Sequence, residues 1–494
     1  MGMGRRKDRQ DTLWVATAEL PRSTGHVFYE RVNRILNERK FDQFVEDACE
    51  KFYAAVMGRP SLAPGKYFRM LLVGYFEGID SERGIAWRCS DSLSLREFLG
   101  VGLSEAVPDH STVSRTRRLI DLETHGKVFS WMLGVLAGEG FIDGKTVGVD
   151  ASTLEANAAM RSIVRRDTGE AYNEFLTGLA KASGIETPTG ADLGRLDRKR
   201  PKKTSNKEWE HPHDPDARIA KMKDGSTHLA HKVEHAADMK TGAILAVTVQ
   251  GADLGDTTTI EDTMIEAARQ LETLAADAGS KLRDDFLSEI VADKGYHSND
   301  TLTVFRDIHI RSYISEPDRG RRNWKGKSEE QKAVYANRRR IRGERGKRLL
   351  RQRGLMLERP FAHTLETGAM RRVHLRHRDN ILKRILIQYA ALNLSLILRK
   401  NFGNGTPRGL QGQHVAALFT LILFWSHYEA LSFACEPSRC DFNPVPSRPT
   451  AVKLNSENLT SATDCKDVSV VNSRRYYKAG VVSLTRALMD YRDE

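Results

Sequence analysis

The chain has 494 residues, enough to bury a large core without disulfide or metal staples, and a length at which more than one domain is expected. Lys and Arg number 77 against 65 Asp and Glu, and the resulting net charge of +12 is typical of a protein that binds a polyanion such as nucleic acid. Five scattered cysteines exclude a disulfide framework and a paired zinc site, and they indicate a reducing, cytoplasmic environment.

The sequence predicts neither export nor membrane insertion. The N-terminal stretch MGMGRRKDRQDTLW is positively charged but has no apolar segment behind it. The most apolar run, VAALFTLILFW at 415–425, is too short to span a bilayer of about 30 Å, so it predicts a buried or subunit-contacting helix.

Residues 1–135 predict an all-α domain that binds DNA. Helical spacing of apolar residues runs through 28–135, with polar breaks between the helices. In PDHSTVSRTRRLI, Pro108 and Asp109 predict a helix start. The arginines of that short helix are candidate phosphate contacts, although an amphipathic helix with solvated arginines explains them equally well. They are Arg115, Arg117 and Arg118.

Residues 140–400 predict a second domain, in which strands and helices alternate. A polar, lysine-rich insertion near 155–225 interrupts it. In chain order the predicted elements are a strand at 146–152, a hairpin turning at 240–242, a helix at 258–278, a strand ending before Asp293, a helix at 299–307, a strand at 309–315, and a basic region at 319–354 that continues into helices up to Lys400. Residues 401–494 are expected to be a C-terminal extension, for which the sequence predicts a helix near 414–433 followed by a mobile tail.

This order of elements predicts an α/β, ribonuclease-H-like fold with a mixed sheet flanked by helices. In that fold the first and fourth strands are neighbours and the last helix packs across their ends, so Asp150, Asp293 and Glu358 would converge. Acidic residues are depleted in strands, yet Asp150 lies among apolar strand residues and Asp293 directly follows others. Three converging carboxylates suit a two-metal Mg²⁺ site for phosphodiester chemistry, in which Mn²⁺ can substitute.

Several segments closely resemble the prokaryotic DDE insertion-sequence transposases. They are VGVDASTLEANAAMRS, DPDARIAKMKDG, THLAHKVEHAADMKTGAI, IVADKGYHS and LERPFAHTLETGAMRRVHLRHRDNILKR, within a similarity over about 25–412. The resemblance implies metal binding and catalysis by Asp150, Asp293 and Glu358. It also implies binding of terminal inverted repeats and target DNA, strand cleavage and strand transfer, and action as a homodimer on paired ends.

The third carboxylate departs from the family pattern. Many relatives carry a lysine seven residues after the glutamate and a tyrosine before it, whereas Leu365 stands at the lysine position here. Tyr335 and Arg338 lie upstream of Glu344 instead, which makes Glu344 a rival third ligand. Glu358 is favoured because the residues after it match nearer relatives. Four arginines of this part of the chain are further candidate DNA contacts: Arg338, Arg371, Arg372 and Arg376.

Two local motifs and the function of the whole protein each have more than one interpretation. HKVEH at 231–235 matches a zinc-protease string, but its alternating neighbours favour a strand, on which the two histidines lie about 13 Å apart. Trp324 and Tyr335 either stack on an unpaired base or pack beneath a basic surface. The whole protein is either a transposase, a metal-dependent nuclease of the same fold, or a non-catalytic DNA-binding protein derived from a transposase.

Overall fold

The computed structural model describes residues 16, 19–54, 61–200, 204–222, 225–277 and 282–410. The predicted helix near 414–433 and the tail lie outside these residues. The N-terminal region is helical, as predicted, and its helices are α1 (Thr24–Glu38), α2 (Phe41–Cys49), α3 (Pro64–Glu77), α4 (Glu82–Asp91), α5 (Leu93–Phe98), α6 (His110–Leu119) and α7 (Leu122–Gly138). The Asp109 side chain accepts a hydrogen bond from the Ser111 backbone N–H, which confirms the predicted start of α6.

A mixed sheet follows, and its long strands are those that the sequence predicted. The strands of the described residues are β1 (Thr146–Glu155), β2 (Val164–Arg165), β3 (Trp209–Glu210), β4 (Arg218–Lys221), β5 (Thr227–Asp238), β6 (Ile244–Gly251), β7 (Glu289–Ala292) and β8 (Arg311–Ile314). In the main sheet β5 pairs with β6 and β4 on one side and with β1 on the other. The strands β7 and β8 then continue the sheet in parallel with β1.

Five strands therefore lie in the order β6-β5-β1-β7-β8. Counted along the chain without the short strands of the insertion, this is the order 3-2-1-4-5. The first and fourth strands are neighbours, as predicted, and their register joins Val147 to Ile290 and Val149 to Ala292.

Helices cover both faces of the sheet. The remaining helices are α8 (Tyr172–Ala182), α9 (Gly190–Lys199), α10 (Asp256–Ala276), α11 (Asn299–Asp307), α12 (Ser328–Arg342), α13 (Glu344–Arg353), α14 (Arg359–Ala362) and α15 (Arg378–Phe402). The expected helical run from the basic region to Lys400 is interrupted, because α15 begins anew at Arg378 after an irregular segment. Helix α10 packs on β5 and β6 from one side, and α15 packs on β6 from the other.

The polar insertion folds around a small core of its own. Trp209 of β3 contacts the rings of Tyr172 and Phe175 on α8, with ring centroids 5.1 and 5.2 Å away. The sequence indicated an insertion here but gave no clean helical periodicity, because much of α8 and all of α9 is exposed or half-buried.

Helix α15 joins the helical region to the sheet. It packs against α3 and α7 as well as against β6, so the two regions share one hydrophobic core. Among the described residues one segment, Arg378–Leu410, is long and apolar enough to cross a membrane, and 89% of its most apolar stretch is buried inside the protein. A helix that is buried to this extent belongs to the core of the protein.

Candidate active site

Two aspartates lie side by side where the parallel pairing of β1 and β7 ends. The last paired residues are Val149 and Ala292, so Asp150 and Asp293 come next in register, on the same face of the sheet. Neighbouring strands are about 4.8 Å apart. The Asp293 carboxylate accepts a hydrogen bond of 2.6 Å from the Lys294 backbone N–H, which orients it at the strand end. The sheet therefore brings both predicted aspartates together.

Glu358 reaches this face on a π-helical turn, Gly354–Glu358, that directly follows α13. Its neighbour Leu357 is fully buried and packs over Gly148, where a Cβ would lie 2.8 Å from Leu357 Cδ2. Because Gly148 and Asp150 are two residues apart in a strand, they point to the same face. The contact between Leu357 and Gly148 thus holds Glu358 near Asp150.

A buried histidine of the neighbouring strand β5 packs against the helical segment that follows this turn. His235 of β5 is the direct cross-strand partner of Asp150. Its ring stacks on Phe361 of α14, with centroids 3.9 Å apart, and its Nδ1 lies 2.9 Å from the Tyr389 hydroxyl of α15. Burial lowers the pKa of His235 to about 3, so the imidazole is neutral and acts as a packing group.

Arg353 connects two of the carboxylates. Its Nη1 lies 3.4 Å from Asp150 Oδ2, and its Nη2 lies 3.3 Å from Glu358 Oε1. Burial raises the pKa of Asp150 to about 6; Arg353 opposes this rise, while the charges of Asp293 and Glu358 add to it. Asp150 thus experiences the charge of both other acidic residues. The sequence drew no attention to Arg353, because it is one of many arginines in a basic region.

The rival ligand Glu344 lies away from these residues. It begins α13, and its side chain is 86% exposed and paired with Lys347. The adjacent Arg345 donates a hydrogen bond of 3.0 Å to Glu289. Glu289 is the first residue of β7, whereas Asp293 follows the last residue of that strand. A helix of ten residues is about 15 Å long, so α13 separates Glu344 from the turn that carries Glu358.

A buried polar network fixes the turn after Asp293 from the opposite face of the sheet. The Lys232 ammonium donates to Asp256 and to Thr259, at 2.6 and 2.8 Å. The hydroxyls of Thr259 and Tyr296 both donate to Glu234, at 2.7 and 2.9 Å. Burial raises the pKa of Glu234. Charged residues at alternate positions of a strand buried on both faces were the sequence signal for this network.

The histidines of HKVEH lie on a strand, as predicted, and contact different partners. His231 Nε2 lies 3.2 Å from Asp214 Oδ2, far from the stacked ring of His235. Among the described residues, Asp214, Asp216 and His377 place ligand atoms within 4.8 Å of one another. The Asp214 carboxylate accepts a hydrogen bond from the backbone N–H of His377, the residue before α15, at 3.1 Å, and the Asp216 carboxylate accepts one from Arg378, the first residue of α15, at 3.0 Å. Both carboxylates therefore lie at the N-terminus of this helix, where negative charge is stabilising.

The candidate DNA-contacting arginines differ in exposure. Arg117 is a correction to the predicted surface set, because its side chain is 9% exposed and donates to Glu82 at 2.7 Å. Arg338 is half-buried and binds both oxygens of Glu316, at 2.6 and 2.8 Å. The exposed members of the set are Arg115, Arg118, Arg371, Arg372 and Arg376.

Trp324 and Tyr335 lie next to each other, and each ring has an arginine beside it. Their ring centroids are 6.0 Å apart, and the guanidinium groups of Arg322 and Arg338 lie 5.4 and 5.0 Å from the respective ring centres. Tyr335 is 38% exposed, so its ring is open to solvent on one side.

Comparison with known proteins gives a match in the helical region. Residues 17–119, which contain α1 to α6, match the family model described as "Transposase domain (DUF772)". No curated protein and no solved structure matches the chain. The match supports a transposase family for the protein.

Proposed function

We propose that this protein is a DDE-type DNA transposase that binds the terminal inverted repeats of its insertion sequence and catalyses strand cleavage and strand transfer. The convergence of Asp150, Asp293 and Glu358 on one face of the sheet carries the proposal. The transposase-domain match of residues 17–119 supports it independently, since those residues lie outside the sheet.

The catalytic fold is proposed to be ribonuclease-H-like. The strand order 3-2-1-4-5, with a hairpin followed by parallel strands, is the order that this fold requires. The helical segment across the strand ends, which carries Glu358, also agrees with it.

The donor set fits Mg²⁺ or Mn²⁺, because it consists of hard carboxylate oxygens whose charges oppose one another. Bound there, two such cations would activate the attacking oxygen and stabilise the leaving oxygen of a phosphodiester. The chain's own contribution is position: the strands fix Asp150 and Asp293, and the π-helical turn fixes Glu358. Asp150 is charged only above its raised pKa, so the site is prepared for cation binding at neutral pH.

Duplex DNA is the proposed partner, and two copies of the chain are proposed to act on paired element ends. The net charge of +12 favours the polyanion. The exposed Arg371 and Arg372 lie at the end of β1, where the Arg371 carbonyl accepts a hydrogen bond from the Glu155 backbone N–H, about 16 Å along the strand from Asp150. They are therefore candidate contacts for phosphates that lie further along the DNA from the carboxylates.

The test is strand cleavage and joining by the purified full chain. The substrate is a plasmid carrying the DNA that flanks its reading frame, with Mg²⁺ or Mn²⁺. Asp293→Asn and Glu358→Gln should each abolish cleavage while leaving DNA binding intact. Glu344→Gln is the matched control and should cleave like the unaltered protein.

Each alternative gives a different result in this assay. Cleavage without joining would identify a metal-dependent nuclease, and DNA binding without cleavage under either metal would identify a non-catalytic DNA-binding protein. Loss of cleavage in Glu344→Gln but not in Glu358→Gln would identify Glu344, and not Glu358, as the third metal ligand.

A further inference from the structure

The position of Arg353 among the carboxylates has a functional implication of its own. Both of its terminal nitrogens face acidic oxygens, one of Asp150 and one of Glu358. Its side chain is 19% exposed and that of Asp150 is 16% exposed, so this contact is shielded from water. A shielded ion pair is stronger than a surface pair, so the contact with Asp150 is the stronger of the two, whereas the Glu358 side chain is 62% exposed and its contact with Arg353 is open to water.

The backbone places Arg353 there through the π-helical turn. Arg353 is the last residue of α13 and Glu358 is five residues later, a spacing that the i→i+5 pattern of Gly354–Glu358 brings to the same side. In an α-helix, residues three or four apart are the facing ones. The rare turn therefore serves to bring this guanidinium next to Glu358.

We propose that Arg353 is a positioning residue that competes with divalent cations for Asp150 and Glu358 and is transferred to a DNA phosphate when they bind. A guanidinium and a divalent cation cannot occupy the same oxygens, because both are positive and each needs close contact. The displaced guanidinium retains five N–H donors in a planar fork that matches phosphate oxygens. This inference rests on the proposed function, since it takes the substrate to be DNA.

The consequence is a thermodynamic coupling between cation and DNA. A cation binding to the free protein must break both Arg353 contacts without replacement. When a phosphate is present, the guanidinium gains a new partner, so cation binding becomes more favourable. By linkage, the cation then strengthens DNA binding by the same factor. The site would therefore bind its cations chiefly when DNA is already bound to the protein.

The experiment measures Mn²⁺ affinity of the full chain by electron paramagnetic resonance, with and without a short duplex of the element end. Arg353→Gln removes the competing charge and should bind Mn²⁺ about ten-fold more tightly than the unaltered protein when DNA is absent. The duplex should tighten Mn²⁺ binding several-fold more in the unaltered protein than in Arg353→Gln, in which only direct contacts between the cations and the phosphodiester remain. Arg353→Lys should retain part of the coupling.

Arg351→Gln is the matched control. Arg351 lies on the same helix and is exposed, and its Nε contacts the Lys347 carbonyl of its own helix at 3.4 Å rather than a carboxylate. This variant should keep both the Mn²⁺ affinity and the DNA effect of the unaltered protein.

The outcomes separate this inference from the proposed function. Equal or weaker Mn²⁺ binding by Arg353→Gln, with an unchanged melting temperature, would overturn the competition. If the unaltered protein had no saturable Mn²⁺ site, or one unaffected by Asp293→Asn, the metal site itself would be refuted and the inference with it.

Discussion

Asp150 is the residue at which the folding and the chemistry of this protein conflict. Its carboxyl is largely buried beside two other acidic groups, and its pKa is raised from 3.8 to about 6. A raised pKa in the folded state means that folding favours the protonated form. The stabilising contribution is complete below pH 3.8 and is lost as the pH rises through about 6, which costs about 3 kcal/mol above that pH.

Replacing Asp150 should therefore stabilise the protein at neutral pH. In buffer with a chelator, Asp150→Asn should exceed the unaltered protein in unfolding free energy by up to about 3 kcal/mol at pH 7.5. The difference should nearly vanish at pH 4, where the carboxyl is mostly protonated. Denaturant unfolding at both pH values measures it, and Asp284→Asn, at an exposed position, controls for the loss of one charge. A constant difference at both pH values would contradict the assignment.

At the scale of elements, the site depends on one close approach between a strand and a helical turn. A Cβ at position 148 would lie 2.8 Å from Leu357 Cδ2 and 2.5 Å from Met239 Sδ. Leu357 and Met239 are both buried, so neither can move away without disturbing the core. The glycine in β1 is thus a condition for the position of Glu358.

Gly148→Ala should accordingly lower stability by about 1–3 kcal/mol and weaken cleavage more than DNA binding, because Leu357 and Glu358 must shift together. Gly134→Ala in α7 is the control, since a Cβ there meets nothing within 4 Å and the helix gains propensity. Chemical denaturation and the plasmid assay measure the two effects. Full cleavage activity in Gly148→Ala would show that the turn tolerates displacement.

The sequence predicted some parts of this site and not others, for physical reasons. Strand alternation revealed both aspartates, because a charge beside apolar strand residues is unusual. Glu358 stood out only through resemblance, since glutamate is common in helices. Arg353 was beyond prediction, because its role depends on a five-residue spacing that α-helical periodicity does not bring together.

The burial of Arg117 follows from the helical spacing of the sequence around it. Arg117 lies four residues after Val113, which is fully buried in α6, and residues at this spacing share a helix face. The same comparison leaves Arg115 and Arg118 on the exposed side. Helical periodicity therefore separates the inward arginine from the two candidate phosphate contacts.

At the scale of the whole molecule, α15 joins the helical region to the carboxylates. Near its start the Lys383 ammonium donates to the Arg117 carbonyl of α6 at 3.1 Å. Six residues later, about 9 Å along the helix, Tyr389 contacts His235 opposite Asp150. The proposed DNA-contacting helix and the candidate active site are thus fixed to the same buried element, so a duplex bound by α6 would have a defined position relative to the carboxylates.

The salt dependence of DNA binding shows whether α6 contacts the phosphates. Replacing Arg115 and Arg118 together with Gln should weaken binding to any duplex and reduce the slope of log affinity against log salt by about two. Arg117→Gln should leave the slope of the folded protein unchanged but lower its stability by about 3 kcal/mol, because Glu82 loses its buried partner. Fluorescence anisotropy across a salt series and denaturant unfolding separate the two variants. An unchanged slope in the double variant would place the DNA-binding surface elsewhere, with Arg371 and Arg372 at the end of β1 as the next arginines to replace.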